Sequence, residues 1–166
     1  MRDWRSTLSA LATIRRAAAP FPLSVFEARP ATSAPWPRTL PACPEAEAFY
    51  RICDGGYLGQ FNIPRLSELG AENQRWASLL RDWGPEGSVL DPTRHLVIAT
   101  DSGGCPVVLD IITDEVRAFQ FDGGTWETPL AQGFASFMQW LFNNEAVPDD
   151  LWTEALDQLD LTHGAA

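Results

Sequence analysis

Lysine is absent from this chain, so all twelve of its basic residues are Arg. A Walker-type phosphate loop needs a Lys beside its glycines and Schiff-base catalysis needs a Lys amine, so both chemistries are excluded. Histidine is nearly as scarce, with only His95 and His163. The three cysteines, Cys43, Cys53 and Cys105, are odd in number and show no CxxC spacing. They read as reduced thiols packed as small apolar groups, not as a disulfide framework or a zinc site. Long apolar runs are missing too. Residues 7–14 fall well short of the ~20 needed to cross a bilayer, and Arg15-Arg16 stand where a secretory leader would carry small uncharged residues. The expectation is a cytoplasmic protein with no membrane partner.

What is present points to one folded unit. At 166 residues, 45% of them hydrophobic, with seven Trp and nine Phe, the chain can bury a self-sufficient core. The net charge of −10 is unevenly spread: residues 1–44 carry six Arg against two carboxylates, and residues 45–166 carry six Arg against twenty. An acidic body repels nucleic-acid phosphates and anionic headgroups and attracts basic proteins over long range. Direct nucleic-acid binding is therefore disfavoured.

Periodicity divides the chain. Residues 3–18 read as an amphipathic helix, with Trp4, Leu8 and Leu11 on one stripe. Residues 30–44 hold five prolines and read as a loop. A helix is expected over 44–53, stopped by Asp54-Gly55-Gly56, then a strand over 57–63 and a helix over 71–83 with Trp76, Leu79, Leu80 and Trp83 on one face. Four extended runs follow at 95–100, 105–112, 115–121 and 125–127, and the turns between them are short enough to demand antiparallel hairpins. Helices over 130–143 and 149–160 close the chain. The fold class expected is α+β, an antiparallel β-meander packed against several helices. Its organisation is expected to be a helical appendage over 1–20, a Pro-rich connection over 21–44 and the domain proper over 45–166.

The string Phe49-Tyr50-Arg51-Ile52-Cys53-Asp54-Gly55-Gly56 resembles the helix-and-"nGg" opening of the SUKH superfamily. Residues 95–101 with Gly103-Gly104 and Val107-Val108-Leu109-Asp110 are similar to its central hairpin, and Phe134 to Leu141 to its closing helix. The resemblance spans about residues 40–142. It implies a sheet backed by helices, no shared catalytic residues, and a role in binding: bacterial members look like immunity proteins that neutralise a toxin, often a nuclease or deaminase, and fungal ones like regulators. Cys105-Pro106 departs from the pattern and implies an edge strand or a bulge, because Pro withholds a ladder amide.

Chemistry-bearing clusters are sparse. The Asp-associated double glycines make turns, since each places a carboxylate where a bound anion would sit. Asp101, Asp110, Asp114 and Asp122 match no calcium-loop spacing. Ser102 lacks a nucleophile elbow, and a Cys105–His95 pair is the only thiol–imidazole candidate. No metal, cofactor or catalysis is expected. The leading function is capture of a basic, nuclease-type toxin domain. A regulatory module without a toxin partner comes next, and a small-ligand enzyme third. The candidate partner-binding residues are Asp110, Asp114, Glu115, Asp122 and Trp126 on the sheet, with Tyr57. The acidic column Asp150, Glu154 and Asp157 on the last helix is the alternative.

Overall fold

Short polar turns between β-branched runs leave the chain no route but back along the strand just made. The computed structural model, which describes residues 3–6, 8–9, 26–85, 88–121 and 123–144, shows the result. Among these residues are eight strands: β1 (Phe26–Pro30), β2 (Cys53–Leu58), β3 (Phe61–Ile63), β4 (His95–Thr100), β5 (Pro106–Asp110), β6 (Glu115–Gln120), β7 (Thr125–Trp126) and β8 (Ala131–Gln132). They pair antiparallel in the order β1 to β7, and β8 also pairs with β6. Helices accompany them among the described residues: α1 (Pro44–Tyr50), α2 (Leu66–Trp83) and α3 (Gly133–Asn144), and residues 4–6 and 8–9 are also helical, part of the first helix expected over 3–18. The fold is α+β, an antiparallel meander packed against helices.

Strand alternation sends side chains to two separate apolar clusters. Leu96, Val107, Leu109, Val116 and Ala118 meet Phe49 of α1 and Phe134, Phe137 and Met138 of α3 on one face. Val97, Val108 and Phe119 meet Trp76 and Leu80 of α2 on the other, with Trp126 packed against them.

Several expectations shift. The proposed strand over 57–63 is a hairpin of β2 and β3, and Asp54-Gly55-Gly56 lies inside β2 instead of ending a helix. Gly55 has φ +72°, and a Cβ there would lie 2.4 Å from the Pro64 carbonyl oxygen, so its glycine serves a close backbone crossing. Helix α2 starts five residues earlier than its apolar stripe suggests. The Asp54 carboxylate reaches across from β2 to accept the Leu66 N–H at 2.8 Å, and Glu68 accepts that of Arg65. Trp83 leaves the stripe and is 85% exposed. Pro106 is the first residue of an interior strand, where it costs no central ladder bond, and the register shift falls on β4, between Val97 and Ala99.

The largest correction concerns the domain boundary. β1 lies within the supposed connecting segment yet is a strand of the sheet, and Trp4 and Leu8 belong to the same buried cluster as Phe49 and Phe134. Both predicted separators, the appendage over 1–20 and the connection over 21–44, thus contribute to the core that residues 45–166 were expected to form alone. The expected helix over 149–160 lies outside the described residues.

Candidate functional site

His95, Asp110 and Glu115 sit opposite one another in the ladder, one each on β4, β5 and β6. On the α2 face this row borders an open groove of about 250 Å³, whose walls also include Arg94, Val108, Thr113, Arg117 and Trp126. Two carboxylates directly opposed on neighbouring strands repel. Here each is held by its own arginine. Arg94 Nε donates to Asp110 Oδ1 at 2.8 Å and its Nη2 to Oδ2, while Arg117 donates through Nε and Nη2 to Glu115 Oε2, the shorter contact being 2.8 Å.

The two acids nonetheless differ in what remains available. Asp110 Oδ1 also accepts the Ile112 and Thr113 N–H groups, at 3.0 and 3.3 Å, so Asp110 caps the β5–β6 turn as well as bracing Arg94. Hydrogen bonds from Arg94, with the turn amides behind them, hold its carboxyl well below the usual carboxylate range. The same cap fixes Ile112, which is 72% exposed at the hairpin tip, a turn position where a β-branched apolar residue is unusual. Among the described residues Glu115 makes no comparable turn contacts.

His95 forms the end wall. Its Nδ1 accepts the Asp91 N–H at 2.8 Å, which places the neutral ring's proton on Nε2, 3.9 Å from Asp110 Oδ2. Burial pulls its pKa down from 6.5 more strongly than Asp110 pulls it up. An imidazole depressed in this way is neutral in the folded state and takes up its proton more readily in the unfolded one. Its contribution is therefore complete above pH ~6.5 and declines as pH falls through that value toward the folded pKa. Asp110 adds a contribution present above pH ~4 and lost below it. Urea unfolding between pH 7 and 5 is expected to show falling stability, and His95→Gln should flatten that step while leaving the acid limb below pH 4. An unchanged slope in His95→Gln would show that the imidazole does not titrate between the two states.

Of the six residues expected to meet a partner, Asp110, Glu115 and Trp126 come together in this groove. Asp114 does not line it. It has φ +57°, its carbonyl accepts the Gly133 N–H, and its carboxylate lies beside Gly133 at the start of α3, where a Cβ would come within 2.8 Å of Oδ2. Tyr57 pairs with Asn62 across β2 and β3, several strands from the groove, and is exposed. Asp122 lies outside the described residues, as do Asp150, Glu154 and Asp157. Sequence reading missed Arg94, His95 and Arg117 as members. The alternation of β6 places Arg117 on the same face as Glu115, whereas Arg94 precedes β4 and carried no signal.

The other chemical candidates separate in space. Asp101 accepts the Cys105 N–H in the β4–β5 turn, at the far end of β5 from Asp110. Cys105 likewise lies at the opposite end of that hairpin from His95, so the two form no thiol–imidazole pair. Burial raises the pKa of Cys43, and that of Cys53 to about 12, which keeps both protonated and unreactive. No helix among the described residues is long and apolar enough to cross a membrane. The chain matches no protein-family model and no curated protein.

Proposed function

We propose that the protein is a non-catalytic binding module that captures a basic protein domain, with a nuclease-type toxin as the partner class, and that it docks through the sheet end formed by the β5–β6 tip and the adjoining groove. The observation that carries this reading is the exposed Ile112 in a hydrogen-bonded turn. A solvent-facing aliphatic residue sits in the turn that the Asp110 cap, the Arg94 brace and the left-handed Asp114 shape, next in the chain to Thr113, which lines the groove with Glu115 and Trp126. An apolar anchor ordered before binding loses little entropy on association.

Charge supports the same partner. Residues 44–144 carry fourteen carboxylates against six Arg, and five of those arginines already pair with carboxylates of their own chain. The surplus that faces solvent is negative and favours encounter with a basic surface. The resemblance of residues 40–142 to the SUKH pattern adds the immunity role, in which such a surface occludes a cleft that normally takes phosphates.

The test is direct. Mixed with a basic toxin domain encoded by an adjacent gene, the protein should form a one-to-one complex that abolishes the toxin's activity and associates at least tenfold more slowly when salt is raised from 0.05 to 0.5 M. Ile112→Asp should weaken the complex a hundredfold or more, chiefly through faster dissociation, while leaving the fold intact. A complex indifferent to Ile112→Asp would place the docking surface elsewhere, and turnover of a substrate by the isolated protein would refute the non-catalytic reading.

A further inference from the structure

We infer that the groove between β4, β5, β6 and Trp126 is a receptor for one arginine side chain of the partner, with Glu115 Oε1 as the acceptor and the Trp126 indole as the stacking surface. This rests on the reading of the domain as a binder of a basic protein and specifies which residue of that partner enters.

Three features select the ligand chemistry. The first is the hydrogen-bond inventory of the two acids. Asp110 is filled by Arg94 and by two turn amides, whereas both contacts from Arg117 go to Oε2 of Glu115. Among the described residues nothing donates to Glu115 Oε1, and the Glu115 side chain retains 31% of its exposure. Glu115 is therefore the carboxylate in the groove with an open position. The second is shape. Trp126 lines the groove and makes an edge-on contact with Phe119 at 5.1 Å, and the buried Val108 adds an apolar surface to the same groove. A flat cation on an aliphatic stem suits a slot with an aromatic side, an apolar base and an acceptor at its mouth. The third is the cost of the alternatives. A Lys ammonium can donate to the one open oxygen but has no plane to lie on the indole, so its gain is smaller.

The neighbouring arginines do not reverse this preference. Arg94 and Arg117 direct their Nε and Nη2 edges into Asp110 and Glu115, so each charge is compensated within the groove wall. A carboxylate sharing its two oxygens between two guanidinium groups, here Arg117 on Oε2 and the incoming side chain on Oε1, is a compatible arrangement of donors and acceptor.

The probe is N-acetyl-arginine amide, titrated into the whole protein and followed by the Trp126 indole N–H and the backbone amides of Glu115 and Arg117 in ¹H–¹⁵N spectra, with N-acetyl-lysine amide and acetate as parallel arms. Saturable shifts confined to the groove are expected for the arginine probe, at least fivefold weaker for the lysine probe and absent for acetate. Glu115→Gln and Trp126→Ala should each weaken the arginine response fivefold or more. Trp126→Phe, which keeps an aromatic face in the packing, should retain most of it. Equal shifts with lysine, a groove response to acetate, or an arginine response unchanged in Glu115→Gln would each overturn the inference. These outcomes are separable from the broader reading. A toxin complex that depends on Ile112 but is indifferent to Glu115→Gln sinks the arginine receptor alone, and the absence of any such complex sinks the binding module while the probe titration still reports on the groove.

Discussion

Replacing Trp4 by alanine is expected to cost ~3–5 kcal/mol of stability, as for other buried aromatic truncations, and to lower the thermal midpoint by about 10 °C. Trp4 is 3% exposed, lies 6.5 Å from the Phe49 ring and meets Phe134 nearly edge-on at 6.4 Å. Its backbone N–H donates to Gln139 Oε1 of α3 at 3.3 Å. Leu8, one helical turn later, is fully buried in the same cluster. The aromatic group formed by Trp4, Phe49, Tyr50 and Phe134 ties the N-terminal residues to α1 and α3, so truncation opens a cavity within that group. Deleting residues 1–20 removes both side chains and should abolish the cooperative melt, the reverse of what an appendage would do. Differential scanning calorimetry of the two variants checks this: a Trp4→Ala transition within 1 °C of the parent would return the first helix to the surface.

That reversal shows which signals in the sequence carried structural content. The change from positive to negative charge near residue 44 suggested two separate pieces, but charge reports on what faces water and says nothing about where the opposite, apolar side of the same residues packs. The Trp4–Leu8 spacing was the better guide, because a stripe at helical period has to be covered by something. The meander from β4 to β7 was legible for the converse reason: its turns are too short to permit any other pairing. β1 was not, since its partner β2 lies more than twenty residues on and only long-range pairing makes Phe26–Pro30 a strand. In the groove, Asp110 is a carboxylate in an otherwise apolar strand and so needs a partner, and that partner comes from a residue just before β4 that no spacing rule connects to it. Glu115 and Trp126 reach the same groove because the meander lays β6 beside β5 and β7 beside β6; Tyr57, on β2, does not.

Asn73→Ala is expected to destabilise the protein by ~2–5 kcal/mol, although the residue is small and touches no proposed partner surface. Strand β3 is only three residues long, and its pairing with β4 is confined to Asn62 and Thr100, so the outer edge of β4 at Val97 has no strand beside it. An unpaired buried N–H and C=O in the middle of a sheet would each cost about 1–3 kcal/mol. The Asn73 carboxamide, 8% exposed on α2, takes the place of the missing strand. Its Oδ1 accepts the Val97 N–H at 2.7 Å and its Nδ2 donates to the Val97 carbonyl at 3.0 Å, with a second contact to the Leu69 carbonyl at 2.9 Å. One side chain thus satisfies both backbone groups of Val97 and fixes α2 against the sheet, which in turn sets Trp76 and Leu80 over Val97, Val108 and Phe119. An asparagine is a poor choice for a helix interior and for an apolar face, and its place three residues before Trp76 is the one sequence clue to this role. Alanine removes all three hydrogen bonds and orphans Val97. Aspartate keeps the acceptor but loses the donor and sets a charge beside two carbonyls, so Asn73→Asp should be no more stable than Asn73→Ala at neutral pH and should recover as its carboxyl protonates. Urea unfolding gives the energies, and hydrogen exchange at the Val97 amide gives the mechanism: protection there should fall further than the loss of global stability alone explains. A loss below 1 kcal/mol with Val97 protection intact would show that another group or bound water closes that edge.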